Sequence, residues 1–397
     1  MAAQDQVTPS AFVCEGGLVK SRSTFIMQPG QAIELLNFEP DIEGGYRRIN
    51  GFRKHCNHIV PQTSSSTEKV LMTAFFNNNI LAARGEKIFS SASTELATKI
   101  VSGTGMTGSG TITVDSTTGF SSSGTLQINS EIFTYTGVTA TTFTGVTRAT
   151  SSTSAADHAV NDAVSESWTE RDTGRTNASK YAFERFNFDG NDKIIVTDGI
   201  NDPTVFNTSL AATDVTASSV EGAKFVTAFK SHMFYAGMSS TPQELVFSEG
   251  FNEDGFSSGA TLPAGSLKVD DTIVGLKAFR GDLFVFCENR IFKVTGSSSS
   301  DFSVTPVTRN IGCVNGDTIQ EFAGDLIFLG PDGLRTVAGT ARIGDVELGT
   351  ISANVQSIFD DNLIDSEQFE SVVIPDKTQY RIFFAKDDTS ENNTRGI

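Results

Sequence analysis

Short apolar runs recur along the chain, separated by clusters of Gly, Asn and Asp. The stretch FRGDLFVFCENRIF, from Phe279, contains a Phe, a polar turn, the apolar run LFVFC, a second turn and another apolar segment. The stretches FAGDLIFLGPDGLRTV, from Phe322, and FNNNILAARGEKIF, from Phe76, align with it without a gap. Apolar runs bounded by turn-forming residues are typical of β-strands, and runs apolar on both faces are expected in a sheet packed between other sheets. The pattern therefore predicts a repeated strand–turn–strand–turn–strand unit.

Three further stretches, beginning at Phe188, Phe229 and Ile374, match the same unit less closely. Successive copies from Phe188 onward are separated by 41, 50, 43 and 52 residues. Repeats of about 40 to 50 residues that contain several strands each are typical of β-propellers. The sequence therefore predicts an all-β protein with a β-propeller-like platform of about six blade-like repeats.

The interval from Phe76 to Phe188 is 112 residues and breaks this spacing. Within it, residues 101–165 are rich in Thr, Ser and Gly, and Arg148 is their only Lys or Arg. Apolar–polar alternation predicts β-strands there. These strands are expected at 111–114, 125–129, 131–138 and 141–146. A disordered Ser/Thr linker is the alternative interpretation, and the regularly placed Ile, Phe, Tyr and Val residues favour a folded module.

These patterns divide the chain into three parts. We predict an N-terminal arm and the first propeller blade or blades at 1–100, an inserted small antiparallel β-module at 101–165, and the remaining blades at 166–397. An insertion of this kind is expected in an exposed loop, where added length costs little closure entropy.

The tripeptide Arg280-Gly281-Asp282 has the composition of a cell-adhesion signal. In the alignment, however, Asp282 falls on Asp325 and Asn79, which are turn-favouring residues in the same slot. We therefore interpret the tripeptide as one copy of the repeated hairpin turn.

The balance of charge is acidic. The 397 residues carry a formal net charge of −17, and Phe is unusually common at 31 residues. Proteins that bind DNA or RNA tightly are normally basic, so this acidic net charge disfavours tight nucleic-acid binding.

Neither the cysteine content nor the N-terminal sequence has the pattern expected of a secreted protein. The four cysteines are too few and too far apart for a disulfide framework, so reduced, mostly buried thiols are expected. They are Cys14, Cys56, Cys287 and Cys313. The N-terminal residues lack the basic start and apolar block of a signal peptide, and no charge-free apolar run approaches 18 residues, so neither a signal peptide nor a membrane span is expected.

Three segments could suggest chemistry. His55, Cys56 and His58 lie together, but no second ligand pair follows at the spacing of a structural zinc site. The Asp-rich stretch 189–202 lacks the ligand pattern of a calcium loop, and RDTGRT at 171–176 is a single fragment of a sialidase-like Asp box. We therefore expect no enzyme activity, no cofactor and no metal site.

One basic cluster stands out in this acidic chain. Its members are Arg47, Arg48, Arg53 and Lys54. A solvated loop and a docking patch for an acidic neighbour or a second copy are both consistent with it, and we carry these four residues forward as candidate subunit or adaptor contacts.

The segment 21–55, SRSTFIMQPGQAIELLNFEPDIEGGYRRINGFRKH, resembles the opening of the tail nozzle proteins (tail tubular protein B) of short-tailed bacteriophages of the podovirus type. The resemblance lies in Gly30, in LLNFE at 35–39, in GGYRR at 44–48 and in Gly51-Phe52. The strand QYRIFFAK at 379–386 also looks like that family. Members usually continue past the point that corresponds to Ile397, so the resemblance implies a longer natural chain.

The resemblance implies a virion structural protein without catalytic residues. It would form a homohexameric ring below the tail adaptor and would contact that adaptor and the tail fibres. The ring would extend and gate the channel for DNA ejection and genome delivery. Phage DNA would pass without specific binding, since acidic walls repel phosphates. Such a protein would be located in the phage tail after assembly in the host bacterial cytoplasm.

Two rival functions remain open. A receptor-binding or fibre-like tail component would use the inserted module for host attachment at the cell surface. A tail-associated glycan hydrolase is the enzymatic alternative. Ring stoichiometry would separate the first function from both rivals, and turnover of cell-wall polysaccharide would support the enzyme.

Overall fold

The computed structural model describes residues 16–41, 43–51, 58–61, 68–92, 96–101, 110–178, 180–337, 351–363, 366–386 and 394–396. In this described part of the chain, nearly all of the regular secondary structure is β-strand, and the one α-helix is short. It divides into two compact units. Unit 1 comprises Met1–Phe52, Asp271–Thr295 and Val304–Ile397, and unit 2 comprises Arg53–Asp270 and Gly296–Ser303.

The N-terminal part of unit 1 contains a 3-10 turn, Thr24–Ile26, followed by a small hairpin. Strands β1 (Phe38–Pro40) and β2 (Tyr46–Arg48) pair antiparallel, with Glu39 opposite Arg47. Gly44 and Gly45 connect them with φ of 98° and 82°, a region that Gly occupies at little cost.

Unit 2 contains three blade-like sheets and the inserted module. Its strands are β3 (Val70–Phe76), β4 (Asn79–Arg84), β5 (Lys87–Ala92), β6 (Ala97–Lys99), β7 (Thr111–Thr113), β8 (Gly124–Ile128), β9 (Glu131–Tyr135), β10 (Gly137–Val138), β11 (Thr142–Thr144), β12 (Ala163–Glu166), β13 (Thr169–Thr173), β14 (Ala182–Phe188), β15 (Asn191–Thr197), β16 (Thr204–Phe206), β17 (Ala212–Asp214), β18 (Phe225–Phe229), β19 (His232–Ala236), β20 (Glu244–Phe247) and β21 (Gly265–Lys268). The blade-like sheets have the orders β3-β4-β5-β13, β14-β15-β16-β17 and β18-β19-β20-β21.

The remaining strands form three blade-like sheets assigned mainly to unit 1. They are β22 (Ile273–Phe279), β23 (Asp282–Cys287), β24 (Ile291–Thr295), β25 (Ser303–Thr308), β26 (Gln320–Phe322), β27 (Asp325–Gly330), β28 (Gly333–Thr336), β29 (Ser366–Ile374), β30 (Gln379–Lys386) and β31 (Thr394–Gly396). The orders are β22-β23-β24-β25, β26-β27-β28 and β29-β30-β31. Between them lie 3-10 turns at Gly316–Thr318, Ala353–Val355 and Pro375–Lys377, and the helix α1 (Gln356–Leu363).

Five of the six predicted repeats begin with the same hairpin. In each, the repeat's Phe ends the first strand, two residues turn, and the next residue begins the second strand. The turn residues are Asn77-Asn78, Asp189-Gly190, Lys230-Ser231, Arg280-Gly281 and Ala323-Gly324, and all ten have positive φ. Two consecutive left-handed residues define the tight turn that matches the twist of a hairpin. The sixth repeat differs, because Ile374 pairs with Gln379 across the four-residue turn 375–378.

Hydrophobic cores lie between consecutive sheets of each unit. In unit 2, Leu81 and Ile88 of the first sheet pack with Ile194 and Phe206 of the second. In unit 1, Phe286 contacts Phe328 at a ring-centroid distance of 5.4 Å. Both faces of the middle sheets are therefore buried, which explains their continuous apolar runs. The predicted all-β, propeller-like class of blade-like repeats with an inserted β-domain is confirmed.

The strands from β6 to β12 pair with one another in two small sheets, β6-β12-β8-β9 and β10-β11-β7. They enclose a separate core that includes Leu126, Phe133, Phe143 and Val164. This module lies in the chain between β5 and β13, the third and fourth strands of the first blade-like sheet. Each stretch of 111–146 in which the sequence predicts a strand contains one, and 131–138 contains two.

Candidate interaction site

The β1–β2 hairpin presents two different faces. Directly opposed residues of an antiparallel pair project to the same side, and successive residues alternate between sides. Glu39 and Arg47 therefore share one face, and Phe38 and Arg48 share the other. The first face is the inner one, since Glu39 is only 4% exposed, whereas Phe38 and Arg48 are exposed.

Three cations converge on the Glu39 carboxylate, and we call this group the Glu39 cluster. Arg47 donates from Nε to Oε1 at 2.9 Å. Lys377, in the turn between β29 and β30, donates to Oε1 at 2.7 Å and to Oε2 at 3.0 Å. Arg381 of β30 donates from Nη2 to Oε2 and is itself held by Gln379. The cluster joins residues 338 and 342 positions apart in the sequence.

The electrostatics of the Glu39 cluster favour an ionised carboxylate and leave positive charge in excess. The hydrogen bond from Lys377 is the main reason that the pKa of Glu39 lies below its usual range, and Arg47 acts in the same direction against the opposing effect of burial. One anion faces three cations, so two positive charges remain uncompensated within the cluster. The cation side chains are 24–37% exposed, so this charge is accessible from solvent.

The candidate contact residues from the sequence fall in different places. Arg47 is committed to Glu39 on the inner face of the hairpin, and Arg48 is exposed on the outer face. Arg53 and Lys54 lie outside the described residues. The role of all four residues as subunit or adaptor contacts stays a prediction.

A second polar cluster lies in unit 2, and we call it the Arg175 network. Nη1 of Arg175 donates to Asp172 at 2.8 Å and to Thr204 at 2.5 Å. Nη2 donates to Asp198 at 2.9 Å and to the carbonyl of residue 202 at 3.3 Å, and Nε donates to the Tyr181 hydroxyl at 3.2 Å. Every nitrogen of the guanidinium is thus used inside the protein.

Burial acts to raise the pKa of Asp198, but hydrogen bonds from Asn201, Ile200 and Arg175 outweigh it, and the pKa lies below its usual range. The RDTGRT fragment therefore contributes a buried structural ion pair, since Asp172 and Arg175 both come from it. The carboxylates of Asp172 and Asp198 are thus both held by the Arg175 guanidinium.

A third cluster lies in the inserted module and is centred on the fully buried Glu131. Arg148 donates to both carboxylate oxygens at 2.9 and 2.7 Å, and Nε2 of His158 contacts Oε2 at 2.8 Å. Since an ionised carboxylate only accepts hydrogen bonds, Nε2 carries the proton. Burial opposes ionisation, but these partners and the amides of Ala149 and Ala156 lower the pKa of Glu131 to about 2.

The other motifs singled out from the sequence occupy structural positions. Arg280 donates to the carbonyl of Gly324, and Asp282 accepts from Lys293 at 3.0 Å, so the Arg-Gly-Asp tripeptide is part of a hairpin turn as interpreted. His58 contacts Ser91 at 2.9 Å, and His55 and Cys56 lie outside the described residues.

The described ranges contain no group of three or more His, Cys, Asp or Glu side chains placed to hold a metal ion. Cys287 and Cys313 are both buried, and burial raises the pKa of Cys313 to about 12. Among the described helices, none has the length and apolar character needed to cross a membrane.

The sequence reasoning missed Lys377 and Arg381 as partners of Glu39. Glu39 and Arg47 lie within the segment that carries the resemblance, and a β-hairpin around Gly44-Gly45 would have predicted their pairing. The two C-terminal cations have no such local signal. Arg175 did have a local sequence signal, since Asp172 stands three residues before it in the Asp-box fragment.

Fold and site together define a class: an all-β protein of repeated blade-like sheets whose described polar clusters are ion pairs within the chain. No protein-family model matches the chain, and no curated protein matches it.

Several solved structures are weakly similar. Phage phi92 endosialidase has 13% identity and a TM-score of 0.31, with coverage of 66% of this chain and 52% of that one. The extracellular domain of a putative hybrid two component system from B. thetaiotaomicron has 11% identity and a TM-score of 0.38, with coverage of 83% and 38%. Kluyveromyces lactis Hsv2 has 7% identity and a TM-score of 0.32, with coverage of 83% and 98%. The chain thus spans about half the length of the endosialidase. At TM-scores this low, we base no functional argument on these likenesses.

Proposed function

We propose that the chain is a structural protein of a bacteriophage tail, a nozzle-type ring component that extends and gates the channel for DNA ejection. The observation that carries the proposal is the Glu39 cluster. The two segments that resemble tail nozzle proteins are LLNFE with GGYRR near the N-terminus and QYRIFFAK near the C-terminus. They meet in one ion cluster, where Arg47 of the first segment and Arg381 of the second both bind Glu39.

This meeting supports a common origin for the two resemblances. Two short matches that arose independently would have no reason to lie in contact, whereas parts of one conserved architecture would. The repeated blade-like sheets are compatible with a rigid platform of this kind. The net charge of −17 is compatible with a protein that DNA passes without sticking, because binding to DNA requires cations that neutralise phosphates.

The proposed partners are further copies of the chain in a homohexameric ring, the tail adaptor, and tail fibres. The proposed location is the virion. We also propose that the protein has no catalytic function and needs no cofactor.

Purified virions of a phage that encodes this chain provide the test. Mass spectrometry should detect the protein in the particle, and electron microscopy should locate it in a ring at the tail axis below the adaptor. Absence from the particle, or a location only at the tips of fibres, would contradict the proposal. The purified protein should bind duplex DNA weakly or not at all at about 0.15 M salt, so tight, strongly salt-dependent binding would also count against it.

A matched pair of variants tests whether the Glu39 cluster matters for this role. Glu39→Gln removes the charge that holds three cations, whereas Glu34→Gln makes the same chemical change at an exposed position of the same segment. Complementation with Glu39→Gln should yield fewer complete tails than complementation with Glu34→Gln. Equal yields would show that the cluster is dispensable for assembly.

The inserted module favours a second function, host attachment. The specific observation is its separate core, which includes Leu126, Phe133 and Phe143. With its own core, the module can keep its fold independently of the blade-like sheets, as a separate attachment module requires. Replacing 97–166, the span of strands β6 to β12, by a short Gly/Ser linker should leave a folded protein. If virions with this deletion assemble but no longer adsorb to cells, the module acts in attachment; if they adsorb normally, it does not.

A further inference from the structure

The Glu39 cluster contains more cationic hydrogen-bond donors than its one carboxylate uses. Arg47 binds Glu39 through Nε, and neither of its Nη atoms donates to a described residue. Arg381 uses Nε and Nη2 for Gln379 and Glu39, whereas its Nη1 donates to none of the described residues. Both arginines are partly exposed, so three guanidinium nitrogens remain for an acceptor that arrives from solvent.

The excess positive charge of the cluster has no second counter-charge in direct contact. The strands and turns that build the cluster also contain four acids, Asp41, Glu43, Glu370 and Asp376. None of these four carboxylates lies within 4.0 Å of a nitrogen of Arg47, Lys377 or Arg381. Charges further away than about 8 Å are largely screened at physiological salt, so the net charge of −17 acts only weakly on this site.

The turn that contains Lys377 is built with a strained backbone. Thr378 has φ of 50° and ψ of 50°, a left-handed conformation that is costly for a β-branched residue. Its amide donates to the carbonyl of Pro375 at 3.0 Å and closes the turn, which holds Lys377 against both oxygens of Glu39. Strain of this kind is concentrated at sites where function fixes the geometry, so the placement of this cation is a feature of the fold.

The unused donors and the charge of the cluster match a particular chemistry. Guanidinium groups donate in planar forks that fit the oxygens of phosphate and carboxylate groups. Because two positive charges are uncompensated, a dianion fits the cluster better than a single carboxylate does. A phosphate group carries up to two negative charges near neutral pH, and its tetrahedral oxygens can accept from two guanidinium groups at once.

We propose that the Glu39 cluster binds a small tetrahedral dianion of the phosphate type. Arg47 and Arg381 donate to its oxygens, and Lys377 adds positive charge. The bound anion bridges β2 near the N-terminus and β30 near the C-terminus, so it also stabilises unit 1 against unfolding. A free anion fits this site better than a phosphate of DNA, because the other phosphates of a strand would face an acidic protein. This proposal does not rest on the proposed function.

Calorimetric titration of the full chain with inorganic phosphate gives the test. The titration is done near pH 8, where phosphate is mainly a dianion, with the ionic strength held at about 0.15 M by sodium chloride. We expect saturable binding of one phosphate per chain with a Kd of about 1 mM or lower, since two or three hydrogen bonds between charged groups supply that affinity.

A matched pair of variants locates the binding. Arg47→Gln and Arg48→Gln remove the same charge from adjacent residues, of which the first lies in the cluster and the second on the outer face of the hairpin. Arg47→Gln should raise the Kd for phosphate at least about fivefold, and Arg48→Gln should raise it less than about twofold. Lys377→Met, in which Arg47 and Arg381 still hold Glu39, should raise it at least about threefold.

Urea unfolding on each variant confirms that unit 1 is folded, and if Arg47→Gln does not fold, Lys377→Met decides. The absence of saturable binding up to about 10 mM phosphate would overturn the proposal, and so would equal weakening in Arg47→Gln and Arg48→Gln. Acetate that binds as tightly as phosphate would overturn the dianion in favour of a carboxylate. A duplex oligonucleotide that binds more tightly than phosphate, and is lost in Arg47→Gln, would overturn the assignment to a free anion.

Discussion

The Glu39 cluster and the Arg175 network are near mirror images in charge. In the first, a buried carboxylate gathers three cations; in the second, a buried guanidinium gathers Asp172 and Asp198. They also differ in enclosure. Arg175 and Asp198 are both nearly inaccessible, whereas the cations around Glu39 are 24–37% exposed.

This difference separates a purely structural cluster from one that can also interact. The Arg175 network uses all three guanidinium nitrogens, so the guanidinium has no nitrogen left for solvent or a partner. The Glu39 cluster retains unneutralised charge at its solvent side, and a partner can bind there without breaking it. Enclosure, rather than the number of ion pairs, therefore predicts how much stability each cluster contributes.

The largest expected effect is that of Arg175→Met. Removing the guanidinium leaves Asp198 buried without its cation, and breaking a buried pair in this way typically costs about 3–5 kcal/mol. We expect the free energy of unfolding of unit 2, measured in urea, to fall by that amount. Arg185→Met is the control, since Arg185 is exposed beside Phe75 at 5.9 Å. Equal losses of free energy in both variants would contradict the expectation that an enclosed ion pair contributes more to stability than an exposed charge.

The Glu131 cluster extends the comparison to low pH. It is centred on a carboxylate, as the Glu39 cluster is, but it is enclosed, as the Arg175 network is. The pKa of Glu131 is about 2, below the ordinary 4.5, so the folded state favours the ionised form. Its contribution is complete above about pH 4.5 and is lost as the pH falls towards 2. In urea titrations, the stability gap between the unaltered protein and Glu131→Gln should be constant above pH 5 and should close towards pH 2. A gap independent of pH would contradict the assigned ionisation.

Glu39→Gln should have an intermediate effect. Gln keeps hydrogen-bonding atoms but removes the charge, and three cations are then left in mutual repulsion. Hydrogen bonds to charged groups contribute about 1.5–3 kcal/mol, and partial exposure reduces that value, so a loss of about 1–2 kcal/mol for unit 1 is expected. The exposed Glu34→Gln should change stability by less than about 0.5 kcal/mol. A loss as large as that of Arg175→Met would show that exposure does not weaken the cluster.

Lys377→Met should have the smallest effect, less than about 1 kcal/mol. Arg47 and Arg381 still compensate Glu39, and removing one of three like charges relieves repulsion between the others. Thermal unfolding of this variant beside Glu39→Gln gives the test. If Lys377→Met is the more damaging of the two, the anion is not the centre of the cluster.

The repeated hairpins were predictable because their turns demand left-handed backbone. Asp189-Gly190 and Asn77-Asn78 are residues that enter that region readily, and the recurring Phe marks the strand end. Strands β7 to β11 of the module were predictable from alternation alone, whereas β6 and β12 were not predicted. Lys230-Ser231 carries no such turn signal, and only its place in the repeat indicates the hairpin.

Long-range partners were not predictable. Glu39 and Arg381 are 342 residues apart, and no local pattern in one sequence indicates which strands meet. For the same reason, the sequence predicted an insertion after the Phe76 repeat but not that β13 would complete the sheet of that repeat. Arg47 was singled out for its charge, and its partner depended on the hairpin register that opposes it to Glu39.

The position of the module has a consequence for the order of folding. β13 must pair with β5 across about 80 residues, whereas the other blade-like sheets form from nearly contiguous chain. Closing a loop that long instead of one of about five residues costs roughly 2 kcal/mol more in chain entropy. Pairing of β6 with β12 brings the two ends of the insertion together and removes most of this cost. The first blade-like sheet is therefore expected to be completed most readily once the module has formed.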